Sequence, residues 1–374
     1  MELLERFFSE YIVYTKIFQW ISVNVDNKFL RYIEGFTRKF MDNAPYTQND
    51  IDNGELDILM SKSDSLKIDR KPINSGTIAL VFKGKLNNND IAVKVLRTNI
   101  EYKLKCAIAN IKFLLSILRY IPFINNLSLY ELFDDICSKL LEQVDLTIES
   151  KNINKMYKIL KPYKISKQPK AYEELCTKNV VVMDFIDGKT IYNIDESDRK
   201  EFANNFMTLN FHLILKKFIF HLDLHSGNVL FVKEDDKCKI SILDMGMIKD
   251  VKYRESNLVF DLINFVFYRD SKGIADLISE YHDIVFKDKY DIVSITKSIN
   301  IEMDNHFKKL EMYTIASDII HVLKILKSHN CKISETFNII VLSFISTLSI
   351  VSSLSDPKTV ECLIKEKINF FKSY

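Results

Sequence analysis

Apolar residues recur at intervals of three to five near the start of the chain: Phe8, Ile12, Ile17 and Ile21, then Phe29, Ile33, Phe36 and Phe40. That spacing follows one face of an α-helix and predicts two helices before about residue 43. Pro45 and the polar run through Asp52 end them. The pattern then changes. Residues 75–86 and 91–96 are β-rich apolar runs separated by the polar Asn87-Asn88-Asn89-Asp90, a strand, turn, strand signature. Residues 100–154 read mostly as helix broken near Pro122, and 179–188 as a buried strand ending in a turn. A helix is expected from Ser197, as its N-cap, to Phe220. Val229-Leu230-Phe231 and residues 239–243 read as the two strands of a hairpin, and the chain is helical again from about Ser256 to its end. Residues 337–354 carry no charge and approach the length of a membrane span. Five serines, Thr347 and Asn338 within them predict a buried amphipathic helix instead, so no transmembrane span is expected. There is no internal repeat or low-complexity tract. A sheet-containing part followed by a helical part is the expectation, with the candidate chemistry at their junction.

Composition narrows the class. At 374 residues the chain exceeds a usual single core, so two lobes are expected. A hydrophobic share of 47% excludes wholesale disorder. With 52 basic against 50 acidic residues, a net charge of +2 and no long Lys/Arg block, nothing electrostatic favours nucleic acid as a partner. Six cysteines without a Cys-x-x-Cys pair suit reduced thiols inside a cell. Residues 1–16 mix Glu2, Glu5 and Glu10 with Arg6, unlike a secretory signal or transit peptide, so an intracellular, cytoplasmic location is expected. Glycine is scarce at eight residues, and Gly76, Gly84, Gly188, Gly227 and Gly246 all fall in segments that carry candidate chemistry.

That chemistry centres on His221-Leu222-Asp223-Leu224-His225-Ser226-Gly227-Asn228 and, after the hairpin, Asp244-Met245-Gly246. Phosphoryl-transfer sites of the kinase type need an Asp to receive the acceptor's proton and an Asn five residues on to hold magnesium. They also need a second Asp to bridge metal and nucleotide phosphates. Asp223, Asn228 and Asp244 stand in that order. Upstream, Lys94 lies inside the apolar run Ile91-Ala92-Val93-Lys94, where an ammonium needs a partner such as a phosphate and a carboxylate. Spacing does not choose that carboxylate among Glu101, Glu142, Asp145 and Glu149. A transition-metal cluster on His221, Asp223 and His225 is a competing reading that leaves Asn228 and Asp244 without a role.

The segment 141–152 resembles the corresponding helix of the UbiB family, atypical kinases linked to coenzyme Q biosynthesis. Lys16-Ile17-Phe18-Gln19 resembles that family's Lys-x-Gly-Gln signature, Pro72 to Ala79 its Ala-rich nucleotide loop, His221 to Asn228 its catalytic loop, and Thr347 to Pro357 its C-terminal helix ending in Asp-Pro. By this match Glu149 pairs with Lys94, and Asp145 belongs to a Glu-x-Asp element whose first position is Gln143 here. Phe18 replaces the signature glycine and Met245 the usual Phe of Asp-Phe-Gly. The resemblance implies an α+β, bilobal protein-kinase-like fold: a helical N-terminal extension at 1–65, a small sheet-containing N-lobe at 66–186 and a mainly helical C-lobe at 187–374. It implies Asp223, Lys94 and Glu149 as catalytic residues, and Asn228 and Asp244 as Mg2+ ligands. ATP contacts are expected at Gly76, Thr77, Ala79, Lys94, the Met183 and Asp184 backbone, Lys16 and Gln19. The implied activity is ATP hydrolysis or phosphorylation of a small-molecule or lipid-related acceptor, with peripheral membrane contact compatible with it. Peptides are disfavoured because the sequence contains no Ala-Pro-Glu. A phosphotransferase resembling aminoglycoside and choline kinases, and an ATP-binding scaffold of little turnover, are the alternatives.

Overall fold

The computed structural model describes residues 12–15, 17, 44–118, 137, 140–309 and 314–372. The two N-terminal helices expected from the sequence, with Lys16, Phe18 and Gln19, lie almost entirely outside them. The chain divides into two compact units, one of residues 1–158, 169–187 and 244–246, the other of 159–168, 188–243 and 247–374.

In the first unit, α1 (Asn53–Met60) precedes strands β1 (Leu66–Ser75), β2 (Ala79–Leu86) and β3 (Asn89–Leu96), followed by α2 (Ile100–Leu118), α3 (Leu146–Leu160) and β4 (Val180–Asp184). The strands form one antiparallel sheet in the order β1-β2-β3-β4. The turn between β2 and β3 is made by Asn87 and Asn88 at φ 49° and 67°, the left-handed pair that matches the twist of a two-residue hairpin. Strand alternation sorts the side chains into two sets. Leu80, Phe82, Ile91, Val93, Val95, Val180 and Val182 face one way and pack with Leu56, Leu59, Leu66 and Ile68 into a buried core. The opposite face carries Ala79, Val81, Ala92, Lys94, Val181 and Met183, whose register pairs are Val81 with Lys94, Lys94 with Val181 and Ala92 with Met183. Lys94 therefore projects from an inner strand whose small neighbours leave room above it.

No apolar run predicts β1. Lys67, Asp69, Arg70 and Lys71 are exposed, and irregular pairing surrounds Pro72, as suits an edge strand that has only one neighbour. Gly84 belongs to this strand pairing: a Cβ there would stand 2.5 Å from the Lys67 carbonyl oxygen, so any side chain would push β1 off β2.

The second unit contains α4 (Arg199–Lys216), β5 (Ile219–His221), β6 (Val229–Glu234), β7 (Lys237–Ile242) and β8 (Ile248–Asp250). They are followed by α5 (Tyr253–Phe267), α6 (Ser271–Glu280), α7 (His282–Val285), α8 (Ile292–Lys308), α9 (Ile315–Ser328), α10 (Glu335–Leu354) and α11 (Pro357–Lys372). Helix α4 buries most of its circumference, including Phe202, Phe206, Leu209, Phe211 and Leu213, with only its ends and the stripe of Glu201, Asn204, Thr208, His212 and Leu215 less than fully buried, which makes it the central helix of this unit. Phe211 meets Phe344 of α10 at 6.0 Å and Phe371 of α11 at 5.8 Å between ring centres. Helix α10 is long and apolar enough to cross a membrane, and 56% of that stretch is buried against protein.

Two boundaries differ from the sequence reading. Helix α4 starts at Arg199 rather than after Ser197, and Asp198 at its N-cap position gives its carboxylate to Lys233 at 2.9 Å instead of capping. It also ends before Phe220, because Phe218 takes φ 55° and turns the chain into β5, which pairs with β8. The β6–β7 hairpin expected from the apolar runs is present, closed by Asp235 and Asp236 at φ 50° and 55°.

Candidate functional site

Three distant side chains of the first unit meet at Lys94. Its Nζ donates to Glu149 Oε1 at 2.7 Å and Oε2 at 2.8 Å, and to Asp244 Oδ2 at 3.1 Å. The Lys94 side chain is 16% exposed, Glu149 3% and Asp244 37%, so the ion pair is closed on the Glu149 side and open on the Asp244 side. The partner that spacing left undecided is Glu149. Helix α3 explains why: Leu146, Ile153, Met156 and Leu160 form its buried stripe, and Glu149 occupies the vacant position of that stripe. The helix is started by Asp145, whose Oδ1 accepts from the Thr147 N–H at 3.0 Å and the Thr147 hydroxyl at 2.6 Å. Asn152, one turn beyond Glu149, donates to the Met245 carbonyl at 2.9 Å, while the Met245 N–H donates to Glu149. Gly246 N–H closes onto Asp244 Oδ1 at 2.8 Å. Met245, where the family resemblance places Phe, is buried at 1% exposed. Asn152 is a site residue that sequence reading missed; the only signal was its place on the same face of α3 as Glu149.

The electrostatics follow from one ammonium serving two carboxylates. Burial works against the Lys94 charge, but Asp244 and Glu149 outweigh it and hold the amine protonated above its ordinary range. Burial pushes Glu149 up to about 7; Lys94 opposes this and the Asp244 charge adds to it. Between the ordinary carboxyl value of 4.5 and about 7 the folded protein thus keeps a proton that the unfolded chain has lost. Stability must fall as pH rises through that window, by an amount on the order of 3 kcal/mol. Melting curves from pH 5 to 8 should show wild type losing stability and Glu149→Gln losing less; identical slopes would contradict the assignment.

A small cavity of about 80 Å³ lies against this cluster, lined by Thr77, Ile78, Ala79, Lys94, Glu142, Gln143, Asp145, Leu146, Glu149, Asp244 and Gly246. Among the expected ATP contacts, Thr77, Ala79 and Lys94 line it, and Gly76, Met183 and Asp184 are not among its described lining residues. Met183 and Asp184 end β4, where the Asp184 N–H donates to the Lys170 carbonyl at 3.0 Å and its carboxylate accepts from Tyr172 at 2.7 Å. An adenine contact through that N–H is therefore closed.

The second unit shapes the loop with Asp223 and Asn228. The Asp223 N–H donates to His221 Nδ1 at 3.2 Å, the Gly227 N–H to His225 Nδ1 at 3.2 Å, and Asn228 Nδ2 to the Asp223 carbonyl at 2.9 Å. Both imidazoles spend a nitrogen on their own loop, and among the described residues no group of three His, Cys, Asp or Glu is placed to hold a metal. That geometry lends the transition-metal reading no support. Leu243, the residue before Asp244, donates its N–H to the Asn228 carbonyl at 2.9 Å, which ties the loop to the end of β7.

Comparison with known proteins places this geometry in context. An uncharacterized protein in the hydrogenase 1 5' region of Clostridium pasteurianum is 27% identical over 352 residues, spanning 91% of this chain and 65% of that one. The probable protein kinase UbiB of Actinobacillus pleuropneumoniae serotype 5b is 28% identical over 178 residues, 44% of this chain and 32% of the relative. The chain thus spans less than two thirds of the length of either. Among solved structures, the complex of Rv3197 with erythromycin from Mycobacterium tuberculosis aligns with a TM-score of 0.56 at 16% identity, covering 81% of this chain and 77% of that one. That likeness bears on the fold alone, and the fold is the bilobal kinase-like α+β arrangement. The ABC1 atypical kinase-like domain matches residues 62–278, a stretch that begins just before β1 and runs through β8 into α6. With more than half its length so matched, the chain belongs to the ABC1 atypical kinase-like family, the UbiB-type kinases to which its motifs pointed.

Proposed function

We propose that the chain is a magnesium-dependent, ATP-binding kinase or ATPase of the UbiB type, acting on a small-molecule or lipid-related acceptor or on water. The observation that carries this reading is the Lys94 ammonium bonded to both Glu149 and Asp244 on the wall of an open cavity. The residues fit the groups the reading requires. Asp244 keeps a partly exposed carboxylate, a hard oxygen ligand of the type magnesium takes. Asn228 uses its amide nitrogen on the Asp223 carbonyl, which leaves Oδ1 as the amide's acceptor for a cation. Asn228 and Asp244 would hold the metal, whose charge neutralises the phosphates during transfer.

The chain's own work is positioning and proton handling. Lys94, fixed by Glu149, presents its ammonium to phosphate oxygens in place of Asp244. Asp223 orients the attacking hydroxyl or water and accepts its proton as the acceptor oxygen bonds to the γ-phosphorus and the bond to the β,γ-bridging oxygen breaks, releasing ADP. A peptide acceptor is disfavoured by the segment after Gly246: residues 247–252 are largely taken up by β8 pairing with β5 before α5 begins at Tyr253, too short a stretch to dock a peptide. Saturating Mg-ATP should raise the melting temperature, by the equivalent of about 2.7 kcal/mol at a hundredfold excess over Kd. EDTA should abolish that rise; no rise, or one that survives EDTA, defeats the proposal.

A further inference from the structure

Three residues beyond Lys94, Arg97 is 2% exposed and reaches under the loop that leads into β2. Its Nε and Nη2 donate to the Gly76 carbonyl at 3.1 and 2.9 Å, and Nη2 also donates to the Ser75 hydroxyl at 2.9 Å. Nη1 and Nη2 both donate to the Pro45 carbonyl at 3.1 Å, and Nη1 stands 3.5 Å from Asp50. The Arg97 N–H donates to the Ile78 carbonyl at 2.9 Å, so one residue binds two carbonyls of a three-residue loop. Ser75 passes the restraint on, donating to the Ala44 carbonyl at 2.6 Å.

The consequence lies in peptide geometry. A trans peptide points its C=O and N–H in opposite directions. With the Gly76 carbonyl drawn to Arg97, the Thr77 N–H must face away from it. Thr77 lines the cavity, and among the described residues the Thr77 and Ile78 amides make no backbone hydrogen bond. The loop thus offers donors where an anion would enter, with the Gly76 carbonyl turned back to the guanidinium and the Ile78 carbonyl held by the Arg97 N–H. We propose that Arg97 is a positioning residue for the phosphates: it never touches the nucleotide, but it orients the Thr77 amide toward the triphosphate that Lys94 binds. This role rests on the nucleotide reading above. Lysine is a poor substitute, because one ammonium cannot reproduce the planar fork that holds Pro45, Ser75 and Gly76 together.

The test is calorimetric titration of Mg-ATP and, separately, adenosine into wild type, Arg97→Lys and Arg97→Met. Adenosine has no phosphate and reports on the rest of the site. Arg97→Met should weaken Mg-ATP by about tenfold or more, the loss of one hydrogen bond to a charged group, with adenosine affinity unchanged. Arg97→Lys should fall between, and it carries the test if Arg97→Met does not fold. Equal weakening of both ligands, or no weakening of either, overturns the positioning role while the nucleotide reading stands. Wild type that binds no Mg-ATP overturns both.

Discussion

Replacing Lys94 with Met is expected to remove Mg-ATP binding and to destabilise the fold in a pH-dependent way. The variant leaves Glu149, 3% exposed, and Asp244 without their shared cation. Breaking a buried ion pair by removing one partner costs about 3–5 kcal/mol. Glu149 can escape part of that by taking up a proton, since burial already pushes it up to about 7. The loss should therefore be smaller at pH 6 than at pH 8, a dependence readable from urea unfolding at the two values. Pairing the change with Glu149→Leu separates structure from function. An apolar pair of similar volume should recover most of the stability, whereas the affinity for Mg-ATP, which needs the ammonium, should stay lost. Recovery of binding along with stability would show that Lys94 only holds the fold.

Asp223→Asn should lower ATP turnover by about 10²–10⁴-fold, the usual contribution of a positioned proton acceptor, with Mg-ATP affinity and folding stability nearly unchanged. The reason is local. The hydrogen bonds that tie this loop to His221 and Asn228 come from the Asp223 backbone, and an isosteric amide leaves them in place. Phosphate release under saturating Mg-ATP measures the effect. Equal, negligible release by wild type and variant would instead describe a nucleotide-binding scaffold.

Much of this site was legible in the order of residues. Lys94 announced itself as a charge inside an apolar run, and the hairpin expected between Asn228 and Asp244 needs only one local turn, which Asp235-Asp236 supply by accepting left-handed backbone. What was not legible depended on tertiary partners. Strand β1 is polar because it lies at a sheet edge, and helix α4 stops after Lys216 through the left-handed backbone of Phe218, not through a glycine or proline. Glu149 was ambiguous by spacing alone, yet it sits in the apolar stripe of α3, and a stripe count would have separated it from Glu101 and Glu142 on the exposed side. Arg97 and Asn152 act through carbonyl oxygens, which leave no trace in side-chain pattern. Lys16 and Gln19 lie outside the described residues.

Asp244, held beside Lys94 by the turn that Asn152 and Glu149 fix, should give this protein a magnesium-dependent grip on a nucleotide. Calorimetric titration of ATP with and without magnesium, into wild type and Asp244→Asn, addresses it directly. Wild type should bind tightly only when magnesium is present, and Asp244→Asn weakly, with no improvement from magnesium. Magnesium-independent binding of ATP by wild type, or an Asp244→Asn variant with the same magnesium dependence, would contradict it.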